Sequence, residues 1–153
     1  DAFSEAFLCF PQQEVPAMAR VFIFDNDPTM ALTMAFGLES EGHEVLTNIE
    51  TNESGGHHAE LNTTKVIRKM LEWKPVPDVI IIECLEVDSE RFMSILQGAG
   101  MQHLTVLAMS HRYKNNTRLQ RLMSEYGAFC MPKPLNVNNL VEYVQELSTS
   151  PVG

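Results

Sequence analysis

Acidic, hydroxyl and basic side chains recur in this sequence at the ends of short apolar runs. Val21–Phe24 runs into Asp25-Asn26-Asp27, Val79–Ile82 into Glu83, Leu104–Met109 into Ser110-His111, and the run over 128–131 leads to Lys133-Pro134. Carboxylates supply charge for a hard divalent cation or for an ammonium group, and a hydroxyl and an ammonium are hydrogen-bond donors. In an open parallel α/β sheet the functional crevice lies beyond the carboxyl ends of the strands. If the four runs are strands of such a sheet, acids, a hydroxyl and a lysine gather at one edge from four separate segments. Any one of them is explained by the ordinary polarity of strand ends, and Asp27 by helix capping. The four together point to a site.

Other constellations are weaker. His57-His58 lies in a polar, Gly-bearing stretch and reads as solvent-exposed rather than metal-binding. Cys9, Cys84 and Cys130 are odd in number, widely spaced and form no C-x-x-C pair. They read as free thiols in a reducing compartment, which places the chain in the cytoplasm. No G-x-G-x-x-G or G-x-x-x-x-G-K-[ST] loop is present, and Ser110-His111 lacks the glycines of a nucleophile elbow. An enzyme or a cofactor-binding domain on a doubly wound fold is therefore the disfavoured reading.

The elements that must position these residues follow from the pattern. A chain of 153 residues, 44% hydrophobic and 20% charged, suits one domain that needs no disulfide or metal staple. The apolar runs fall well short of the roughly 20 residues of a membrane span. A net charge of −9 is a poor match to nucleic acid or to an anionic membrane, so neither is expected as a partner. Residues 1–17 read as a vector-derived or upstream leader, the other reading being a short docking helix on Phe3, Phe7, Leu8 and Phe10. Residues 18–150 read as a single domain.

Asp27 is a good N-cap before Pro28, and Met30, Met34, Phe36 and Leu38 recur at near-helical spacing up to Gly42. His43–Thr47 reads as a second strand, and Asn48–His58 as a polar loop. Asn62 caps a helix carrying Val66, Ile67, Met70, Leu71 and Trp73, which Pro75 and Pro77 end. Val79–Ile82 shows no polar alternation, the sign of a strand covered on both faces. Further helices are expected near Ser89–Gln97, Asn115–Tyr126 and Val137–Leu147, with strands at Leu104–Met109 and Ala128–Met131. Strands and helices alternate five times, which implies a parallel sheet with helices on both faces.

With its motifs in this order, the chain resembles the response-regulator receiver domain of two-component phosphorelay signalling. The matching stretches are Val21–Pro28, Pro77–Glu83, Thr105–Ser110 and Lys133-Pro134, and the likeness runs from about Ala19 to Ser148. The resemblance implies a flavodoxin-like three-layer sandwich, with a five-stranded parallel sheet of order 2-1-3-4-5 and about five helices. It also implies an acidic pair at Asp25 and Asn26 for Mg²⁺, a phosphoacceptor at Glu83, and phosphoryl-oxygen ligands at Ser110 and Lys133. The expected switch and partner surface comprises His111, Arg112, Lys114, Arg118, Arg121 and Cys130, and the expected partner is a protein, a histidine kinase or a downstream effector.

Several of these positions depart from the receiver pattern. Asn26 is neutral where the second acid stands, and Glu83 is longer than aspartate by one methylene. His111 follows the hydroxyl where a small residue is usual, and Cys130 occupies the aromatic switch position. Losing a carboxylate weakens Mg²⁺ binding, and a misplacement of about 1 Å costs on the order of 100-fold in rate. The sequence therefore reads as an atypical receiver, or pseudo-receiver: a non-enzymatic signalling module with a degenerate phosphoacceptor pocket, no resident metal or other cofactor, and Glu83 close to Lys133 and Ser110. Its metal ligands, if it had any, would be Asp25 and Glu83. The rival reading is a working response regulator with Glu83 as acceptor.

Overall fold

Strands without polar alternation need cover on both faces, and the middle of the sheet has it. The computed structural model describes residues 18–83, 89–100, 104–110, 117–132 and 136–149. The leader expected over 1–17 lies outside them. Strand β5 (Val79–Glu83) is buried at every position. It lies between β1 (Arg20–Phe24) and β6 (Thr105–Ser110), with β2 (Glu44–Thr47) and β7 (Phe129–Pro132) at the edges. The order is β2-β1-β5-β6-β7, with every pair parallel. Counting these strands alone gives 2-1-3-4-5, the flavodoxin-like arrangement.

The crossovers carry four helices, α1 (Pro28–Ser40), α2 (Thr63–Glu72), α3 (Ser89–Gly98) and α4 (Thr117–Tyr126), and α5 (Val137–Thr149) follows the last strand. Alternate strand residues divide the core into two layers. Val21, Ile23, Val79 and Ile81 pack with α1 and α5, through Met34, Leu38, Leu140 and Val144. Phe22, Phe24, Ile80 and Ile82 pack with α2, α3 and α4, through Val66, Phe92 and Leu122. Phe24 meets Phe92 edge-on, with ring centroids 5.1 Å apart. Among the described residues no helix is long and apolar enough to cross a membrane.

Local signals set the helix ends. Asp27 Oδ1 accepts the Thr29 and Met30 N–H groups, and Pro28 opens α1. At the other end Gly42 takes φ +93°, while the N–H groups of Gly42 and His43 return to the carbonyls of Glu39 and Leu38. That pair of bonds satisfies carbonyls the helix would leave orphaned. Arg20 fixes the amino end of β1. Its guanidinium lies 3.9 Å over the Trp73 ring, pairs with Glu44, and donates through Nε to the Pro75 carbonyl at 2.7 Å.

Three expectations change. The stretch Asn48–His58 is not a plain loop, because β3 (Ile49–Thr51) and β4 (His57–Ala59) pair antiparallel as a separate hairpin. Buried Ile49 anchors it to the core beside α1, and three-residue strands are too short for alternation to show in sequence. Phe36 shares no face with its neighbours in the pattern: it stands two residues beyond Met34, across the helix, and is 75% exposed. Trp73 follows α2 as its C-cap, in extended conformation, and serves Arg20.

Gly37 lies in the interior of α1 where side chains of α5 approach its backbone closely. A Cβ there would stand 3.0 Å from Val137 Cγ1 and 3.2 Å from Val141 Cγ2. Gly37→Leu is expected to destabilise the fold by about 1–3 kcal/mol through overpacking. Gly37→Ala, in which up to ~1 kcal/mol of helix propensity opposes the crowding, should stay within about 1 kcal/mol of the parent. Urea denaturation midpoints of the two variants check this.

Candidate functional site

Parallel strands collect their carboxyl ends at one edge, and the register decides which side chains meet there. Phe24 on β1 pairs with Ile82 on β5, so Asp25 follows level with Glu83. Alternation puts both on the face of Val21, Ile23, Val79 and Ile81, the face covered by α1 and α5. Adjacent strands lie about 4.8 Å apart, so the two residues are neighbours. Both are sealed from solvent, Asp25 at 0% and Glu83 at 1% exposure. Ser110 ends the next strand at 0% exposure, one residue beyond Met109, the partner of Glu83. Of the expected pocket, the structure thus brings Asp25 and Glu83 side by side, with Ser110 at the end of the adjoining strand.

The loop after β1 is held from several directions. The Asp27 N–H donates to Asp25 Oδ1 at 2.9 Å, which bends the chain back over the carboxylate. The Asp27 carboxylate serves α1, accepting the Thr29 N–H at 3.0 Å and the Met30 N–H at 3.4 Å. Asn26 lies between them, half-buried. An anion at a helix N-terminus is favoured both by the free N–H groups and by the dipole, so Asp27 is well used where it is.

Sequence reasoning missed one residue of this site. Asn48, read as the start of a loop, is fully buried and binds the main chain of Asp25 on both sides. A polar residue directly after a strand looks like a turn former, and nothing in the local sequence distinguishes it from one.

The other expected residues divide. Lys133, His111, Arg112 and Lys114 lie outside the described residues, as does the side chain of Arg118, which belongs to α4. Arg121, also on α4, pairs with Glu90 on α3 at 3.0 Å. Cys130 on β7 pairs with Ala108 and packs, half-buried, against the second core layer. Pro132 pairs with Ser110 at the end of the edge strand, where its missing N–H is tolerated.

The fold has counterparts in solved structures. No protein-family model matches the chain, and no curated protein matches it significantly. Its fold does match. It superposes on the Vibrio cholerae chemotaxis protein CheY4 with a TM-score of 0.63 and 17% identity, over 85% of this chain and 98% of that one. A response regulator receiver domain from Clostridium thermocellum gives 0.63 and 19%, over 86% and 94%. The signal receiver domain of a signal transduction histidine kinase from Syntrophus aciditrophicus gives 0.63 and 21%, over 86% and 90%. The chain has the CheY-like fold of response-regulator receiver domains.

The double duty of Asp27 makes a testable demand. Asp27→Ala is expected to cost about 1 kcal/mol (range ~0.5–2) by stripping the cap of α1, and Asp27→Asn much less. Thermal or urea unfolding of the two variants checks it.

Proposed function

We propose that this chain is a receiver-type signalling module whose phosphoacceptor pocket is held shut by an internal charge pair, and which acts through protein contacts without ordinary aspartyl phosphorylation. The observation that carries the proposal is the burial of Glu83 beside Asp25. An acceptor carboxylate must present an oxygen in line with the incoming phosphoryl group. Burying two carboxylates on one face is tolerable only with a counter-charge, a shared proton or hydrogen-bond donors. Lys133 directly follows Pro132, the partner of Ser110, and is the cation that the sequence supplies at this edge.

Mg²⁺, which the receiver fold implies, fits this donor set poorly. Asn26 brings no charge, and the Asp27 carboxylate is turned to the N-terminus of α1. Among the described residues no three His, Cys, Asp or Glu side chains form a group that would hold a metal ion. The reading is of a non-enzymatic, cytoplasmic module without a resident cofactor. Its partner is a protein, a histidine kinase or a downstream effector, engaged through the basic segment Arg112, Lys114, Arg118 and Arg121 with His111 and Cys130. Charge complementarity makes an acidic surface the natural counterpart.

Three experiments test this. Titration with beryllofluoride or acetyl phosphate in the presence of Mg²⁺ is expected to leave the amide NMR spectrum unchanged. A saturable, Mg²⁺-dependent change that Glu83→Ala abolishes favours the phosphorylatable reading instead. Lys133→Met, which leaves the carboxylates without their counter-charge, is expected to cost about 3–5 kcal/mol, and adding Glu83→Gln to recover much of it. A loss below about 1 kcal/mol for Lys133→Met, the range of an exposed pair, rejects the internal pairing. In a pull-down, Lys133→Ala should alter partner affinity more than it alters any phosphate chemistry.

A further inference from the structure

Where β2 ends, one side chain belongs both to the acidic pocket and to the extra hairpin. The Asn48 main chain still pairs with the sheet, its N–H donating to the Ile23 carbonyl at 3.1 Å. One residue later the chain turns away into β3, and the backbone of Asp25 loses its main-chain neighbour on that side. The Asn48 amide stands in for it. Oδ1 accepts the Asp25 N–H at 2.9 Å, and Nδ2 donates to the Asp25 carbonyl at 2.8 Å. The second Nδ2 proton goes to the Glu60 carbonyl at 3.0 Å, and the Glu60 N–H returns to the Asn48 carbonyl at 2.9 Å. That exchange closes the base of the hairpin just below the Ile49–Ala59 pair. One acceptor and two donors are needed here, which a carboxylate or a hydroxyl does not provide.

We propose that Asn48 is a positioning residue that couples the β3–β4 hairpin to the acidic pocket. The hairpin presents Glu50, Thr51, His57 and His58 at its surface, all exposed. A load on these residues shifts the base between Asn48 and Glu60. The shared amide passes that shift to the main chain of Asp25, and Asp25 Oδ1 passes it to the Asp27 N–H and the start of α1. By linkage, whatever fixes Asp25 also fixes the hairpin to the same extent. The coupling is independent of whether the pocket accepts a phosphoryl group, because every contact in it is already made.

The test uses the full chain, labelled for NMR, with neither metal nor phosphoryl donor. His58→Ala removes the exposed His58–Glu50 cross-strand contact (4.0 Å) without touching Asp25. The amide signals of Asp25, Asn26 and Asp27 are expected to move in His58→Ala, and that movement is expected to be lost in an Asn48→Ala background. Equal movement in both backgrounds, or none in the first, overturns the proposal. Native-state hydrogen exchange on the unaltered chain requires no folded Asn48 variant. The Asp25 and Glu60 amide protons are expected to exchange through one shared opening, with the same denaturant dependence. Separate openings, with Glu60 exchanging while Asp25 stays as protected as Ile81, overturn it equally.

Discussion

Two carboxylates buried side by side constrain everything at the functional edge of this molecule. Parallel strands in register set Asp25 and Glu83 level with each other and on one face. Like charges on adjacent strands repel one another, and burial adds the loss of their hydration. The sheet cannot relieve this by sliding, because a slip of one residue would turn every apolar side chain of a strand to the wrong layer. The relief has to come from what surrounds the pair, as a cation, a proton or hydrogen-bond donors. That demand links the pocket to its loops more tightly than packing alone would.

The loop after β1 shows how the link is made. Asp25 lends a carboxylate oxygen to the Asp27 N–H, Asp27 caps α1, and Asn48 holds the Asp25 backbone from the other side. A chain segment satisfied in this way has little freedom to rearrange without exposing unpaired polar groups, each costing about 1–3 kcal/mol. The opposite end of β1 is fastened by different chemistry, with Arg20 stacked on Trp73 and paired with Glu44, and its N–H donating to Asp78. β1 is thus fixed at both ends, by a cation on an aromatic ring at one and by an acidic loop at the other. Of the two ends, only the acidic one has the chemistry of a site.

The architecture was legible because its signals are local or strictly periodic. The unbroken apolar run Val79–Ile82 announced a central strand. Asp27-Pro28 and Gly42 marked both ends of α1, and the acids and the hydroxyl at strand ends marked the edge. What stayed hidden depends on neighbours distant in sequence. Whether Glu83 faces water or the core is decided by α1 and α5 and by the level of β1, none of which its own segment reveals. Asn48 has the composition of a turn, and its role appears only once Asp25 and Glu60 are seen on either side of it. The hairpin strands are three residues each, too short to carry a period. Phe36 fits a helical spacing on paper, yet lies on the outward side because the inward face is already filled by Met34 and Leu38.

Charge counting shows why the substitutions relative to the receiver pattern belong together. The pattern that the resemblance implies has three carboxylates and one lysine, a sum of −2 that a divalent cation neutralises. Here Asn26 removes one acid, and Asp25, Glu83 and Lys133 sum to −1. A divalent cation added to those three groups overshoots neutrality by one charge. The longer glutamate has the complementary effect: its extra methylene moves the carboxylate about 1.5 Å from where an aspartate would hold it. Either change alone would leave a poor metal site or a misplaced acceptor. Together they lower the charge that would draw a divalent cation and shift the carboxylate that would receive a phosphoryl group, two changes that act in the same direction.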